Sequence, residues 1–440
     1  MTEIDLLVSA RWVIPIEPDG CLEQHCVAID QGRILDVLPA SVAVTRYRAR
    51  QSVDLPTHAL IPGLVNAHTH AAMGLFRGLA DDLPLMDWLQ HHIWPAEGRW
   101  VSSQFVRDGV ELAMAEMLRS GTTCFNDMYF FPEECAQVVR KAGIRACIGM
   151  IVIDFPTVYA DSPSAYLDKG LRLHDELRDS RLITTAFAPH APYSVSDEPL
   201  TRIRILNNEL NLPVHMHIHE TAHEIEEALV GTGRRPIARL QDLDLLGPNL
   251  VAVHMTQLLP AEIDLLARTG VNVVHCPESN LKLASGFCPV DALLDAGINV
   301  ALGTDGAASN NNVDMLEEMR VAALLAKAVS QDATAVPART ALRMATLNGA
   351  RALGLDTLIG SVTAGKQADL AAIDLAHAAS QPVYDPLSHI VYAAGRGQVT
   401  DVWVAGRQLL RAGHLTTLDE PAILQRAHAW GDRIRERPAS

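Results

Sequence analysis

Between Leu60 and Gly306 the chain alternates eight short β-rich runs with longer helical patterns, and few architectures accept that rhythm. The runs are LIPGLVNAHTH to His70, TTCFNDM to Met128, IRACIGMIV to Val152, LITTAFAPH to His190, PVHMHIHE to Glu220, NLVAVHM to Met255, VNVVHCP to Pro277 and INVALGTDG to Gly306. Helical patterns fill the gaps at Phe105–Arg119, Pro163–Asp179, Glu198–Asn208, Ala261–Arg268 and Pro289–Asp295. Parallel strands need crossovers of this length, and eight strand-helix units are the arithmetic of an α/β (β/α)8 TIM barrel. An open doubly wound sheet fits less well, because it usually has fewer strands and no G-x-G-x-x-G follows the first run.

The two ends of the 440-residue chain have another texture. LLVSARWVIPI, EQHCVAIDQGRILDVLP and QSVDLP read as strands joined by turns, and so do DLAAIDL, SHIVYAA and VTDVWVAGRQLL after Gly360. Two such flanking segments can pair into one small β-sandwich beside the barrel. The expected division is residues 1–56 and 363–440 in the sandwich, with 57–362 as the barrel. Leu342–Gly354 and a terminal stretch, Pro421–Arg437, read as helical.

Charge and cysteine content narrow the partners. With 36 Lys+Arg against 52 Asp+Glu the net charge is −16, and no basic cluster interrupts it, which argues against nucleic acid and anionic membrane surfaces. The seven cysteines form no C-x-x-C pair, the first residues carry acids where a leader would carry Lys/Arg, and no stretch approaches about 18 apolar residues. The expected location is the cytoplasm.

Histidine occupies 18 positions, so one H-x-H means little, and a lone buried imidazole is more often hydrogen-bonded structure than a ligand. Placement changes the weight. His68 and His70 close the first run on one face of a strand, HMHIHE sets His215, His217 and His219 on one face of the fifth, His254 and His275 end the sixth and seventh, and Asp305 ends the eighth. TIM-barrel sites lie at those strand ends. His68, His70, His217 and Asp305 together therefore read as a metal site. Imidazoles with one carboxylate suit Zn²⁺, with Fe²⁺ and Mn²⁺ as further ions such a set accepts. His215 and His275 read as supporting or structural residues.

These stretches, PGLVNAHTHAAMGLFRG, HMHIHE, HCPESNLKLASG and GTDGAASNNN, resemble the amidohydrolase superfamily, in particular its mononuclear zinc deaminase and chlorohydrolase branch. Within the branch, RGLADDLPLMDWLQHHIWPAE is most similar to the 5'-methylthioadenosine/S-adenosylhomocysteine deaminases. The resemblance implies one zinc per chain on His68, His70, His217 and Asp305. It implies a proton shuttle at Glu220, a place for His254 close to the hydrolytic water where some members ligate the metal, substrate contacts from Glu97 and His190, and a proton-accepting role for Asp305. The implied reaction is hydrolysis of the adenine amino group to give an inosine product and ammonia, with adenosine as a further substrate. The implied partner is a small purine nucleoside, and the implied assembly a homo-oligomer.

Rival readings share parts of this pattern. Deaminases of guanine, 8-oxoguanine or isoxanthopterin and triazine chlorohydrolases would use the same metal site with different walls. A dinuclear cyclic-amide hydrolase would commonly bridge two metals with a lysine after the fourth strand, yet LITTAFAPHAP has none. The cytidine-deaminase fold would show P-C-x-x-C, which is absent.

Overall fold

The computed structural model describes residues 1–436; Arg437 of the expected terminal helix and residues 438–440 lie outside them. Eight strands form a parallel sheet in strict chain order: β5 (Leu64–Thr69), β6 (Thr122–Asp127), β7 (Arg145–Val152), β8 (Ile183–Pro189), β9 (Val214–Ile218), β10 (Leu250–His254), β11 (Asn272–His275) and β12 (Val300–Leu302). The first and last strands meet where the Asp305 N–H donates to the His68 carbonyl at 3.0 Å, so the sheet is a barrel. Every residue of β5, β6, β7, β9, β10, β11 and β12 is buried, as expected for strands covered by helices outside and side chains inside.

The remaining strands are β1 (Thr2–Val13), β2 (Leu22–Asp30), β3 (Arg33–Pro39), β4 (Tyr47–Pro62), β13 (Leu370–Asp374), β14 (Val399–Val404), β15 (Arg407–Arg411) and β16 (His414–Leu415). They form one sheet in the order β16-β15-β14-β13-β4-β1-β2-β3. The two chain ends are joined by antiparallel pairing of β4 with β13, Leu60 opposite Ala372. In β1 burial alternates residue by residue, the mark of a sheet with one face on a core. That core includes Val8, Val27, Leu60, Leu370 and the fully buried Trp403.

Gly63 separates this sheet from the barrel. A Cβ there would sit 2.1 Å from the Thr123 side chain, so only glycine lets β4 run straight into β5 against the neighbouring strand. The helix Ser103–Arg119 begins with the Ser102 hydroxyl accepting from the Phe105 N–H at 3.3 Å. The terminal helix Glu420–Arg435 packs on it, with Trp430 Nε1–H donating to Asp108 at 2.9 Å and its ring against Phe105.

One element differs from expectation. SHIVYAA lies mostly in a helix, Pro386–Tyr392, not a strand. Asp385 accepts from the Leu387 N–H and Pro386 takes the first helical position, while Ile390 and Val391 turn inward together. These N-terminal signals outweigh the strand propensity of a short apolar run.

Candidate metal and substrate site

Four donors meet at the C-terminal mouth of the barrel. His68 lies on β5 and His70 just beyond it, His217 lies on β9 and Asp305 follows β12; one ligand atom of each is within 4.8 Å of the others. Close packing holds the frame: a Cβ on Gly303 would fall 2.8 Å from the His68 nitrogen. Asp305 has φ 60 and His254 φ 77, left-handed values that non-glycine residues seldom adopt, so the ends of β12 and β10 are bent at some conformational cost.

The ring orientations define what the cage wants. His70 Nδ1 donates to the Met128 carbonyl at 2.5 Å and His217 Nδ1 to the His190 carbonyl at 2.7 Å. A carbonyl only accepts, so in the neutral rings both Nε2 atoms present lone pairs. Those two atoms are 3.2 Å apart, and Asp305 Oδ1 lies 3.2 Å from His68 Nε2 and 3.3 Å from His70 Nε2. Acceptors this close repel one another unless a cation sits among them. Burial lowers His68 to about 4 and His217 far below its ordinary range. Without a metal cation among the donors a proton takes that place: at His70 burial also acts downward, but Asp305 outweighs it and raises the ring to about 9. Burial likewise opposes ionisation of Asp305, yet His68 and His70 hold its carboxyl well below the usual range. Three imidazole nitrogens and a carboxylate oxygen converging on one point fit Zn²⁺ in a site with room for a water.

Outer contacts fix these donors. The hydroxyls of Ser279 and Ser309 donate to Asp305 Oδ2 at 2.6 and 2.8 Å, and the Gly306 N–H donates to Oδ1 at 2.8 Å. His215 Nε2 is 2.8 Å from His68 Nδ1. His219, by contrast, leaves the face expected for it. Its φ of 54 ends the alternation after β9, and its ring lies against the Ile237 N–H and Glu262. His275 is buried at the end of β11, with no hydrogen-bond partner at Nδ1 among the described residues.

Glu220 and His254 face each other beside the cage, Oε2 to Nε2 3.7 Å. Glu224 clamps the turn that carries Glu220, accepting from the His219 and Glu220 N–H groups at 3.1 and 2.7 Å. Burial raises the Glu220 carboxyl, with His254 pulling it down and Asp305 adding to the rise. His254 Nδ1 donates to Asn280 Oδ1 at 2.8 Å.

A cavity of about 270 Å³ opens above the cage. Glu97, His190, Glu220 and His254, all expected from the sequence, line it together with the cage residues His70, His217 and Asp305. Burial pushes Glu97 up to about 7, against the influence of Tyr129 and His70. His190 is anchored by Nδ1 to the Ser194 hydroxyl at 2.8 Å. The sequence reading missed Tyr129, Phe155 and Val158 on the walls and Ser279, Ser309 and Asn280 behind the donors. The aromatic runs after β6 and β7 were an available signal for the first group, since barrel sites are built from loops at strand ends.

Comparison with known proteins agrees with this geometry. The model of the amidohydrolase family matches residues 59–409. A 5-methylthioadenosine/S-adenosylhomocysteine deaminase of Saccharophagus degradans is 52% identical over 440 residues, covering 100% of this chain and 99% of that protein. A zinc-bound crystal structure of an adenosine deaminase from Xanthomonas campestris is 54% identical, with TM-score 0.98 over 99% of this chain and 100% of its own. An atrazine chlorohydrolase of Arthrobacter aurescens shares the fold alone, at 22% identity, TM-score 0.89, and coverage of 97% and 99%.

Proposed function

The chain belongs to the amidohydrolase family, and from that premise we infer that it is a zinc-dependent deaminase of adenine nucleoside thioethers. It hydrolyses 5'-methylthioadenosine to 5'-methylthioinosine and ammonia, and S-adenosylhomocysteine to S-inosylhomocysteine and ammonia. The observation that carries this reading is the full-length likeness to deaminases of that name, joined to a cage of acceptors that demands a cation.

His68, His70, His217 and Asp305 would hold the zinc, which when bound would supply a Lewis acid able to bring the pKa of a water to about 7. The protein's residues do the rest. Asp305, its Oδ2 secured by two serine hydroxyls, accepts the proton of the attacking water. Glu220, whose neutral form burial favours, donates a proton to N1 of the adenine ring and so makes C6 electrophilic. His254 holds the water by Nε2, because its Nδ1 proton is committed to Asn280. The proton taken up by Asp305 passes to the exocyclic nitrogen, the C6–N bond breaks, and ammonia leaves while C6 keeps the oxygen of the water. Glu97 and His190 position the nucleoside, Glu97 by accepting from the ribose hydroxyls.

The absence of lysine from β8, and the one four-donor group among the described residues, support a mononuclear site. Seven free cysteines, six of them buried, support a reducing, cytoplasmic setting, and no described helix is long and apolar enough to cross a membrane. The family resemblance supports a homo-oligomer. An ammonia-release assay over methylthioadenosine, S-adenosylhomocysteine, adenosine and guanine tests the reading. Turnover of guanine with none of the adenine nucleosides would sink it, and two zincs per chain would sink the mononuclear site.

A further inference from the structure

The two substrates of the inferred reaction are identical up to the 5' sulfur. Beyond it one carries a methyl group and the other an amino-acid tail with an ammonium and a carboxylate. The cavity is unequal to that difference. None of the described residues lining it is lysine or arginine. Its histidines are gathered at the cage, with the rings of His70, His190 and His254 centred 5.2, 4.9 and 5.5 Å from that of His217. Glu97, the remaining ionisable carboxyl away from the cage and Glu220, would repel a carboxylate when ionised.

The wall beyond Glu97 is apolar. Trp94 lies one helical turn before Glu97 in the helix Trp94–Trp100 and so shares its side of that helix. Phe155 meets Trp94 edge to face at 6.0 Å, and Val158 follows on the same loop. Phe155 and Val158 are 41% and 42% exposed, so this apolar surface borders the mouth. The neighbouring Asp154 is an acid already accepting from the Ser196 N–H at 2.7 Å. A thioether with a short alkyl group suits aromatic walls of this kind, whereas the wall offers a carboxylate no cationic partner.

We propose that this chain selects by tail charge, taking the uncharged 5'-alkylthio nucleoside in preference to the amino-acid-bearing one, with Trp94, Phe155 and Val158 as the specificity-determining wall. The proposal rests on the deaminase reading above and goes beyond it by ranking the two substrates. The experiment is steady-state deamination by the zinc-loaded full-length protein of methylthioadenosine, S-adenosylhomocysteine and 5'-butylthioadenosine, whose tail is long but uncharged. The expected kcat/KM for S-adenosylhomocysteine is about tenfold or more below that for methylthioadenosine, with the butyl analogue close to the methyl one. Val158→Arg and, separately, Phe155→Arg should each move the ratio of the two natural substrates about tenfold toward S-adenosylhomocysteine. Equal kcat/KM for the two natural substrates, a butyl analogue rejected as strongly as the charged one, or a ratio unmoved in both arginine variants would overturn the inference while leaving the deaminase reading intact. Failure to release ammonia from any of the three nucleosides would overturn that reading and the inference with it.

Discussion

The barrel buries charge at both ends and treats it in opposite ways. At the N-terminal end Arg145 opens β7 and meets Asp369 of the terminal sheet, their side chains 2% and 1% exposed. Arg145 Nε donates to Asp369 Oδ2 at 2.8 Å, Nη2 donates to Asp369 Oδ1 at 3.1 Å and to Gln367 Oε1 at 2.6 Å, and Nη1 donates to the Arg181 carbonyl at 3.1 Å. The Ala405 N–H adds a donor to Asp369 at 2.7 Å. At the C-terminal end four side chains point acceptors at one another. The first arrangement balances donors and acceptors within the chain; the second requires a cation. The contrast separates a joint between domains from a site for chemistry, and it follows the general division of labour between the two faces of such barrels.

Five substitutions break or sharpen that contrast. Asp305→Ala should lower kcat by about 10⁴-fold and take metal content from one zinc per chain to near none by elemental analysis. It removes an acceptor rather than a partner, so circular dichroism should still report a folded protein, and an unfolded variant would erase the distinction between the ends. Glu220→Gln should keep the zinc and lose about 10³-fold in kcat, since it removes the ring-protonating group without touching the donors. Near-normal turnover would exclude it as the shuttle.

At the other end Arg145→Met should leave kcat of the folded fraction unchanged while costing about 3–5 kcal/mol in denaturant unfolding, because Asp369 is left buried without its cation. Adding Asp369→Leu should recover most of that loss, and a double variant no better than the single would show that the pair is not self-contained. The smallest effect belongs to the cavity wall. Glu97→Gln should raise KM for nucleosides about tenfold and leave free bases unaffected. Because Glu97 is raised to about 7, its ribose-accepting ionised form grows as pH rises through that value. The wild-type KM should therefore fall across that interval, while the glutamine variant stays flat.

The cage was legible because strand periodicity and barrel topology act together: once a run is a barrel strand, its last inward residue must reach the mouth. His219 escaped that logic through a single left-handed backbone angle, which periodicity does not encode. The segment at Pro386–Tyr392 escaped through a capping aspartate and a proline, local signals present in the text but outweighed by its apolar run. Asn280 and the two serines were hidden for different reasons. Asn280 and Ser279 reach His254 and Asp305 from 26 residues away in the chain, which leaves no spacing rule, whereas Ser309 lies only four residues after Asp305 and was overlooked because a lone hydroxyl near a ligand carries no motif. Arg145 and Asp369 stand 224 residues apart, and nothing about either residue alone marks the pair.

The pairing of β4 with β13 also has a consequence in time. Roughly 310 residues separate the two partners, which at about 5–20 residues per second is on the order of 15–60 s of synthesis. During that interval β4 has β1 on one side and an unpaired edge on the other, while the barrel strands emerge and close behind it. Sealing that edge is left to a strand made after all eight barrel strands. A truncation that removes β13 would thus expose a long, sticky strand in a molecule whose chemical centre is already assembled, and its first symptom would be aggregation rather than a missing ligand.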